Sequence, residues 1–232
     1  MSQAQHVGII MDGNRRFSKK LMQTPWKGHK WGAKKLEEVL TWCKEAGVKR
    51  LTVFALSIQN FSRPKKEFEF LMQLFSKELD NLLTKNDELA EQGLRVEFIG
   101  RVQLLPEEVQ QRLQAVQEAT KDNKRFVLTI AVAYGGREEI VDAARAVALQ
   151  VACGELTPEE VDEEVFARKL YASNEPDLII RTGGEQRTSN FLSWQSIYTE
   201  WFFVKELWPE FSKETFTECL EEFRNRQRRF GK

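Results

Sequence analysis

Apolar residues in this chain follow two rhythms. Short, mainly apolar runs lie in the first half of residues 6–17 and at 51–56, 94–99, 126–133, 178–180 and 201–204, the third of them interrupted by Arg95 and Glu97. Runs of that length, rich in Val, Ile and Leu, read as strands buried on both faces. Between them apolar positions recur every three or four residues, which predicts helices. One covers about 31–46, with Leu36, Val39, Leu40 and Cys43 on one face and Gly47 ending it. Another starts at Pro64 and carries a wide stripe of Phe68, Leu71, Met72, Phe75, Leu79 and Leu82. Others begin at Pro106 (Val109, Leu113, Val116), run through Ile140 to Gly154, and close the chain over about 214–229. The acidic stretch 155–164 reads as a solvated loop and helix start. Strand and helix alternate throughout, so the expected fold is α/β: an open, mainly parallel six-stranded sheet flanked by helices. No repeat, linker or low-complexity segment divides it, and residues 1–232 read as a single domain.

Composition narrows the function more than the fold. A chain of 232 residues, 41% hydrophobic, has enough apolar surface for one substantial core. Its formal net charge is zero, so no whole-molecule field draws it to nucleic acid or an anionic membrane. The charge is nonetheless uneven: residues 1–36 hold eight Lys and Arg against the single acid Asp12. The last nine residues repeat the bias with Arg224, Arg226, Arg228, Arg229 and Lys232. Three cysteines without metal-ligand spacing argue for free thiols, not a disulfide framework. No apolar run approaches the roughly 20 residues that span a bilayer, and no signal-peptide pattern opens the chain, so the expectation is a cytoplasmic protein.

The candidate chemistry sits where strands end. Asp12 follows the first apolar run, in a Gly- and Asn-containing turn that leads to Arg15, Arg16, Lys19 and Lys20. Ser57 and Asn60 follow the second strand, and Arg181 ends the fifth. Open parallel sheets bind ligands beyond the carboxyl ends of their strands. A carboxylate, an amide and two guanidinium groups at such an edge suit an anionic ligand with a divalent metal, most readily a diphosphate. The basic residues alone could equally form a hydrated helix face. The P-loop motif and the dinucleotide-binding Gly-x-Gly-x-x-Gly are both missing. No Asp-Asp-x-x-Asp cluster is present either, which argues against prenyltransferases that gather metals on aspartate-rich helices.

Four blocks go further. Met11-Asp12-Gly13-Asn14-Arg15-Arg16-Phe17, then Gly28-His29, then Ser57-Ile58-Gln59-Asn60-Phe61-Ser62-Arg63-Pro64, then Arg181-Thr182-Gly183-Gly184-Glu185-Gln186-Arg187-Thr188-Ser189-Asn190-Phe191 occur in that order. Together they resemble the cis-prenyltransferase family, to which undecaprenyl diphosphate synthase belongs, over the chain from about His6 to Gly231. The resemblance implies a sheet with a deep hydrophobic tunnel. It also implies repeated condensation of isopentenyl diphosphate onto an allylic prenyl diphosphate, giving a Z-polyprenyl diphosphate that serves as precursor of a glycosyl carrier lipid.

By the same resemblance Asp12 is a magnesium ligand and the essential catalytic residue, and Glu200 a second metal-binding carboxylate. Gly13, Asn14, Arg15, Arg16 and Phe17, with His29 and Arg63, match the primer-binding cradle. Ser57, Ile58, Gln59 and Phe61 flank Asn60, to which the family assigns a catalytic role. An amide is a poor base, so Asn60, with Ser57, is read as positioning the diphosphate or a water that takes the proton. Arg181, Arg187, Thr188 and Ser189 match the isopentenyl diphosphate site. Arg229 and Gly231 match a C-terminal Arg-x-Gly motif that crosses a dimer interface, which implies a homodimer. The lipid product implies peripheral contact with a membrane.

The chain departs from the common bacterial pattern at Arg15, Phe17 and Gln59, and Pro25 occupies the position of a diphosphate-binding Arg, whose charge Lys27 could supply. These changes look like the archaeal branch, which implies geranylgeranyl diphosphate in place of farnesyl diphosphate as primer. A long hydrocarbon needs a dry wall, since each exposed CH₂ forfeits roughly 0.8 kcal/mol of burial. Residues 54–56, the stripe from Phe68 to Leu82, and Ile99 are the candidate walls. Two rivals stand beside this reading: a noncatalytic or heteromer-dependent subunit of the same fold, and a nucleic-acid module using the basic N-terminal segment. The retained Asp12, Arg181 and Arg187 disfavour the first. Zero net charge disfavours the second.

Overall fold

The structure, a computed structural model, describes residues 3–226. Its elements in chain order are β1 (His6–Ile10), α1 (Asn14–Lys20), α2 (Gly28–Glu45), β2 (Arg50–Ser57), α3 (Lys65–Thr84), α4 (Asn86–Gln92) and β3 (Leu94–Ile99). They continue with α5 (Glu107–Thr120), β4 (Phe126–Tyr134), α6 (Gly136–Ala152), α7 (Glu163–Ala167), β5 (Leu178–Arg181), β6 (Glu200–Phe203) and α8 (Lys213–Asn225). The six strands form one sheet in the order β3-β4-β2-β1-β5-β6, and every pairing among the described residues is parallel. Each strand foreseen from the apolar runs is present to within a residue or two at either end. The polar helix α4 went unforeseen because its seven residues include only two apolar ones. The closing helix ends at Asn225 with Arg226 already extended, and the rest of its expected span lies outside the described residues.

The strands divide their side chains between two cores, as a period of two requires. Val7, Ile9, Leu51, Val53, Leu128 and Ile180 point to the larger core. Ile10, Ala131, Tyr134 and Ile179 point the other way into a smaller aromatic one, which Phe191 of the loop after β5 completes. Ile99 joins that second group, so its expected place in the tunnel wall is corrected. The alternation Leu94-Arg95-Val96-Glu97 carries a period-two signal that puts Ile99 on the face opposite Leu94 and Val96, as observed.

Strand order sets the location of the site. The chain leaves β1 toward β2 on one side, whereas β5 leads to β6 on the other. The crevice between the carboxyl ends of β1 and β5 is therefore the topological switch point, where open α/β sheets bind ligands. Ile10 pairs with Arg181 there, which brings Asp12 and Arg181 to the same edge.

Candidate active site

Asp12 is held by its backbone before its side chain is used. Its carbonyl accepts from Trp208 N at 2.9 Å and from Thr182 Oγ1 at 2.7 Å. Gly13 follows at φ 112°, a conformation that strongly favours glycine, and the α-carbon of Leu207 lies where a Cβ would sit, at 2.9 Å. Trp208, fully buried, donates Nε1 to the carbonyl of Gly32 at 2.8 Å and so locks the Asp12 turn to α2. A Cβ on Gly32 would stand 2.4 Å from Asn14 Oδ1. That position is small because Asn14 and Trp208 converge on it.

Around this turn the arginines meet. Arg181, 3% exposed, reaches Asp12 Oδ2 with Nη2 at 2.9 Å, while Nη1 donates to Ser189 Oγ at 2.6 Å and to the carbonyl of Arg187. Arg16 approaches Asp12 Oδ1 at 3.3 Å and donates to the carbonyl of Gly183 at 2.7 Å. Arg187 is paired with Glu185, which also lies 3.8 Å from Arg16. On the other side Arg63 bonds Glu67 Oε1 at 3.0 Å, and Arg15 lies 3.7 Å from the same oxygen. Glu67 is 1% exposed, so a buried carboxylate orients two cations. Sequence reading missed it: an acid four residues after an arginine on a helix looks like any surface pair.

These groups open onto one cavity of about 540 Å³. Asp12, Asn14, His29, Ser57, Asn60, Arg63, Arg181, Arg187 and Ser189 line its polar end. Its apolar part lies between the sheet (Phe54, Leu56, Leu128, Ile130) and α2 and α3 (Leu36, Leu40, Leu71, Phe75). Ala55 is exposed although β2 is an interior strand, because the strand shifts register at this point and the small side chain faces the void. Of the expected wall residues, 54–56 and Leu71, Met72, Phe75, Leu79 and Leu82 line the cavity. Phe68 does not; it packs on Phe61 at 5.0 Å.

Three atoms in the lining, Asn14 Oδ1, His29 Nε2 and Arg181 Nε, are buried without a hydrogen-bond partner. Buried polar groups rarely go unpaired, and three around one void mark a place built for a polar ligand. Burial, and then the neighbouring Arg63 and Arg15, lower the His29 pKa from 6.5 to about 4, so its ring is neutral. Asn60 Oδ1 accepts from Ser57 N at 3.0 Å and is thereby committed to the turn at Ile58–Ser62, which leaves its NH₂ group for a ligand.

Other expected residues fall outside the lining. Gly13, Arg15, Arg16, Phe17, Ile58, Gln59, Phe61 and Thr188 are not part of it, although Arg15 and Arg16 are tied to it through Glu67 and Asp12. Phe17 packs edge-on against Trp31 at 5.6 Å. Lys27 is exposed and does not replace the charge missing at Pro25 within the lining. Glu200 is the clearest displacement. It pairs with Leu178 at the amino edge of the sheet, three residues or roughly 10 Å along the strand from the level of Arg181, and bonds Arg226 at 2.6 Å. Glu200 therefore stands apart from Asp12 within one chain. Arg229 and Gly231 lie outside the described residues.

The fold and this crevice define a class that comparison with known proteins makes specific. The prenyltransferase family model for undecaprenyl diphosphate synthase matches residues 10–231. The tritrans,polycis-undecaprenyl-diphosphate synthase (geranylgeranyl-diphosphate specific) of Pyrococcus abyssi is 49% identical over 98% of this chain and 87% of its own. An isoprenyl transferase of Thermus thermophilus is 44% identical over 98% and 89%. Among solved structures, lavandulyl diphosphate synthase from Lavandula x intermedia, in complex with dimethylallyl diphosphate, superposes with a TM-score of 0.93 at 38% identity over 99% of both chains. A probable undecaprenyl diphosphate synthase from Campylobacter jejuni gives 0.83 at 32% over the whole of both. The chain belongs to the undecaprenyl diphosphate synthase family of prenyltransferases.

Proposed function

We propose that this prenyltransferase condenses isopentenyl diphosphate repeatedly onto an allylic diphosphate and releases a Z-polyprenyl diphosphate, the precursor of a glycosyl carrier lipid. The observation that carries the reading is one cavity with two natures: arginines and a carboxylate at one end, and a long apolar wall leading away. Geranylgeranyl diphosphate is the favoured primer, since the archaeal-type motifs agree with the substrate named for the Pyrococcus abyssi relative. The apolar part of the cavity would receive the growing chain.

The donor set suits magnesium in one particular way. Mg²⁺ is usually held by one or two carboxylates together with substrate phosphates and water. Among the described residues no group of three His, Cys, Asp or Glu could form a complete protein site, and Asp12 is the carboxylate that lines the cavity at its arginine end. Asp12 would thus hold an ion that arrives with the diphosphate, and the ion would help neutralise the leaving oxygens. Arg16, Asn14, His29 and Arg63 would orient the primer diphosphate. Arg181, Arg187 and Ser189 would hold isopentenyl diphosphate by forked hydrogen bonds. Asn60 would steer a diphosphate or a water with its NH₂ group. Closing the oily wall around the allylic carbon keeps water from intercepting it.

A homodimer fits the remaining features. Glu200 could serve an ion only toward a second copy, given its edge of the sheet. Val141 and Leu149 on α6, and Ile197 and Phe203 around the short edge strand β6, leave apolar surface exposed. Among the described residues no helix is long and apolar enough to cross a membrane, and peripheral membrane contact would come through the lipid product.

The deciding experiment incubates the purified chain with labelled isopentenyl diphosphate, Mg²⁺ and a panel of C10 to C20 primers, and sizes the products. Polyprenyl diphosphates from the chain alone support the reading. Turnover only on adding a second polypeptide would favour a heteromer-dependent subunit instead.

A further inference from the structure

The cavity does not end as it runs. Along α3 its lining follows the helical face Leu71, Phe75, Glu78, Leu82 and Lys85, so apolar residues give way to charge over the last two turns. Asn81 joins the polar end by donating to Glu78 Oε2 at 3.1 Å. Across the gap, α2 contributes one charged group, Glu37, between the apolar lining residues Leu36 and Leu40. Glu37 and Lys85 face each other at 3.8 Å, with side chains 67% and 50% exposed, so this end of the void opens to solvent beneath an ion pair.

We infer that the Glu37–Lys85 pair is the stop that sets product length. The inference rests on the reading of the cavity as the berth of a growing hydrocarbon. Each added isoprene unit gains free energy while it buries apolar surface against Leu40, Leu71, Phe75 and Leu82. Once the tip reaches Glu37 and Lys85 it must strip water from two charges or part them, and the next unit finds no dry wall. A further unit then adds no binding free energy, and release competes with elongation. An exposed ion pair adds little to fold stability, so evolution or an experimenter can alter this stop without unfolding the chain.

The test replaces both charges by leucine, Glu37→Leu with Lys85→Leu, and sizes polyprenyl products from the full-length chain with isopentenyl diphosphate, Mg²⁺ and an allylic primer. A second variant, Glu37→Lys with Lys85→Glu, keeps the charges and reverses them. The leucine pair should move the product distribution upward by at least one isoprene unit, and the reversed pair should keep the length of the unaltered chain. Equal lengths for the leucine pair and the unaltered chain overturn the inference alone. So does a lengthened product from the reversed pair, or loss of all turnover in a leucine pair whose circular dichroism is normal. No product from the unaltered chain with any primer overturns the reading of the cavity as well.

Discussion

Arg181 Nη2 stands 2.9 Å from Asp12 Oδ2, joining residues 169 positions apart in sequence. The guanidinium is almost wholly buried; its Nη1 donates to Ser189 and the Arg187 carbonyl, while Nε has no partner. The arginine thus holds the carboxylate and is pre-aimed at whatever anion displaces it.

Asp12→Asn keeps the shape of that pair while removing its negative charge. Condensation should fall by roughly 10²–10³-fold or more, the scale on which preorganised electrostatic groups act. Steady-state kinetics read the loss, and a thermal melt within a few degrees of the parent shows that the fold survives. Near-normal turnover would remove Asp12 from the mechanism.

Arg187→Ala should weaken isopentenyl diphosphate far more than the primer. Hydrogen bonds to charged groups are worth about 1.5–3 kcal/mol, which corresponds to about 10- to 100-fold in KM. Varying each substrate separately at saturation of the other distinguishes the two sites. Equal losses for both would contradict the assignment of Arg187 to one of them.

His29 is neutral near pH 7 because burial and two arginines lower its pKa to about 4. A bound diphosphate offsets those arginines and raises that pKa, so binding takes up a proton between the free and bound values, and affinity increases as pH falls through that interval. Calorimetric titration with an unreactive diphosphate analogue in two buffers of different ionisation heat measures the uptake. His29→Asn should abolish it.

His6 is also neutral, its ring nitrogens bonded to Thr52 Oγ1 at 2.8 Å and the carbonyl of Glu175 at 3.0 Å, with its pKa lowered to about 4 chiefly by burial. The unfolded chain binds this proton near pH 6.5 and the folded chain only near 4, so stability is full above 6.5 and declines as pH falls across that window. The slope should approach about 1.4 kcal/mol per pH unit for this residue. Urea midpoints from pH 7.5 to 5 follow it, and His6→Gln should be flatter than the parent.

Gly32→Ala drives a methyl to 2.4 Å from Asn14 Oδ1 and 3.0 Å from Trp208 Cδ1. Overpacking of this kind costs about 1–3 kcal/mol. Because the displaced Asn14 lines the cavity, primer affinity should fall along with the melting temperature. A variant that loses stability yet binds primer normally would show that Asn14 has no part in the site.

What could be read ahead of the fold depended on which residues carry a local signal. Asp12 and Arg181 each end an apolar run, so their position at a carboxyl edge was legible from the run alone. Glu67 was not, because its burial comes from packing against Arg15 and Arg63, residues that its own helix does not reveal. The place of Glu200 could not be read either: a motif names a residue type and an order, and says nothing about which edge of a sheet the residue occupies. Phe68 missed the cavity although it lies on the same core as Leu71 and Phe75, because it packs on Phe61, a contact its own helix does not reveal.

By itself, then, the sequence determined the order of strands and helices, the absence of the common nucleotide-binding loops, and the chemistry available at the strand ends. These follow from short-range periodicity and from side-chain type, which each stretch of chain carries alone. Tertiary structure decided that β1 and β5 lie side by side, that five arginines converge near one aspartate, and that the oily wall between α2 and α3 turns charged at Glu37 and Lys85. Those outcomes depend on contacts between residues far apart along the backbone, and such contacts exist only once the sheet has brought them together.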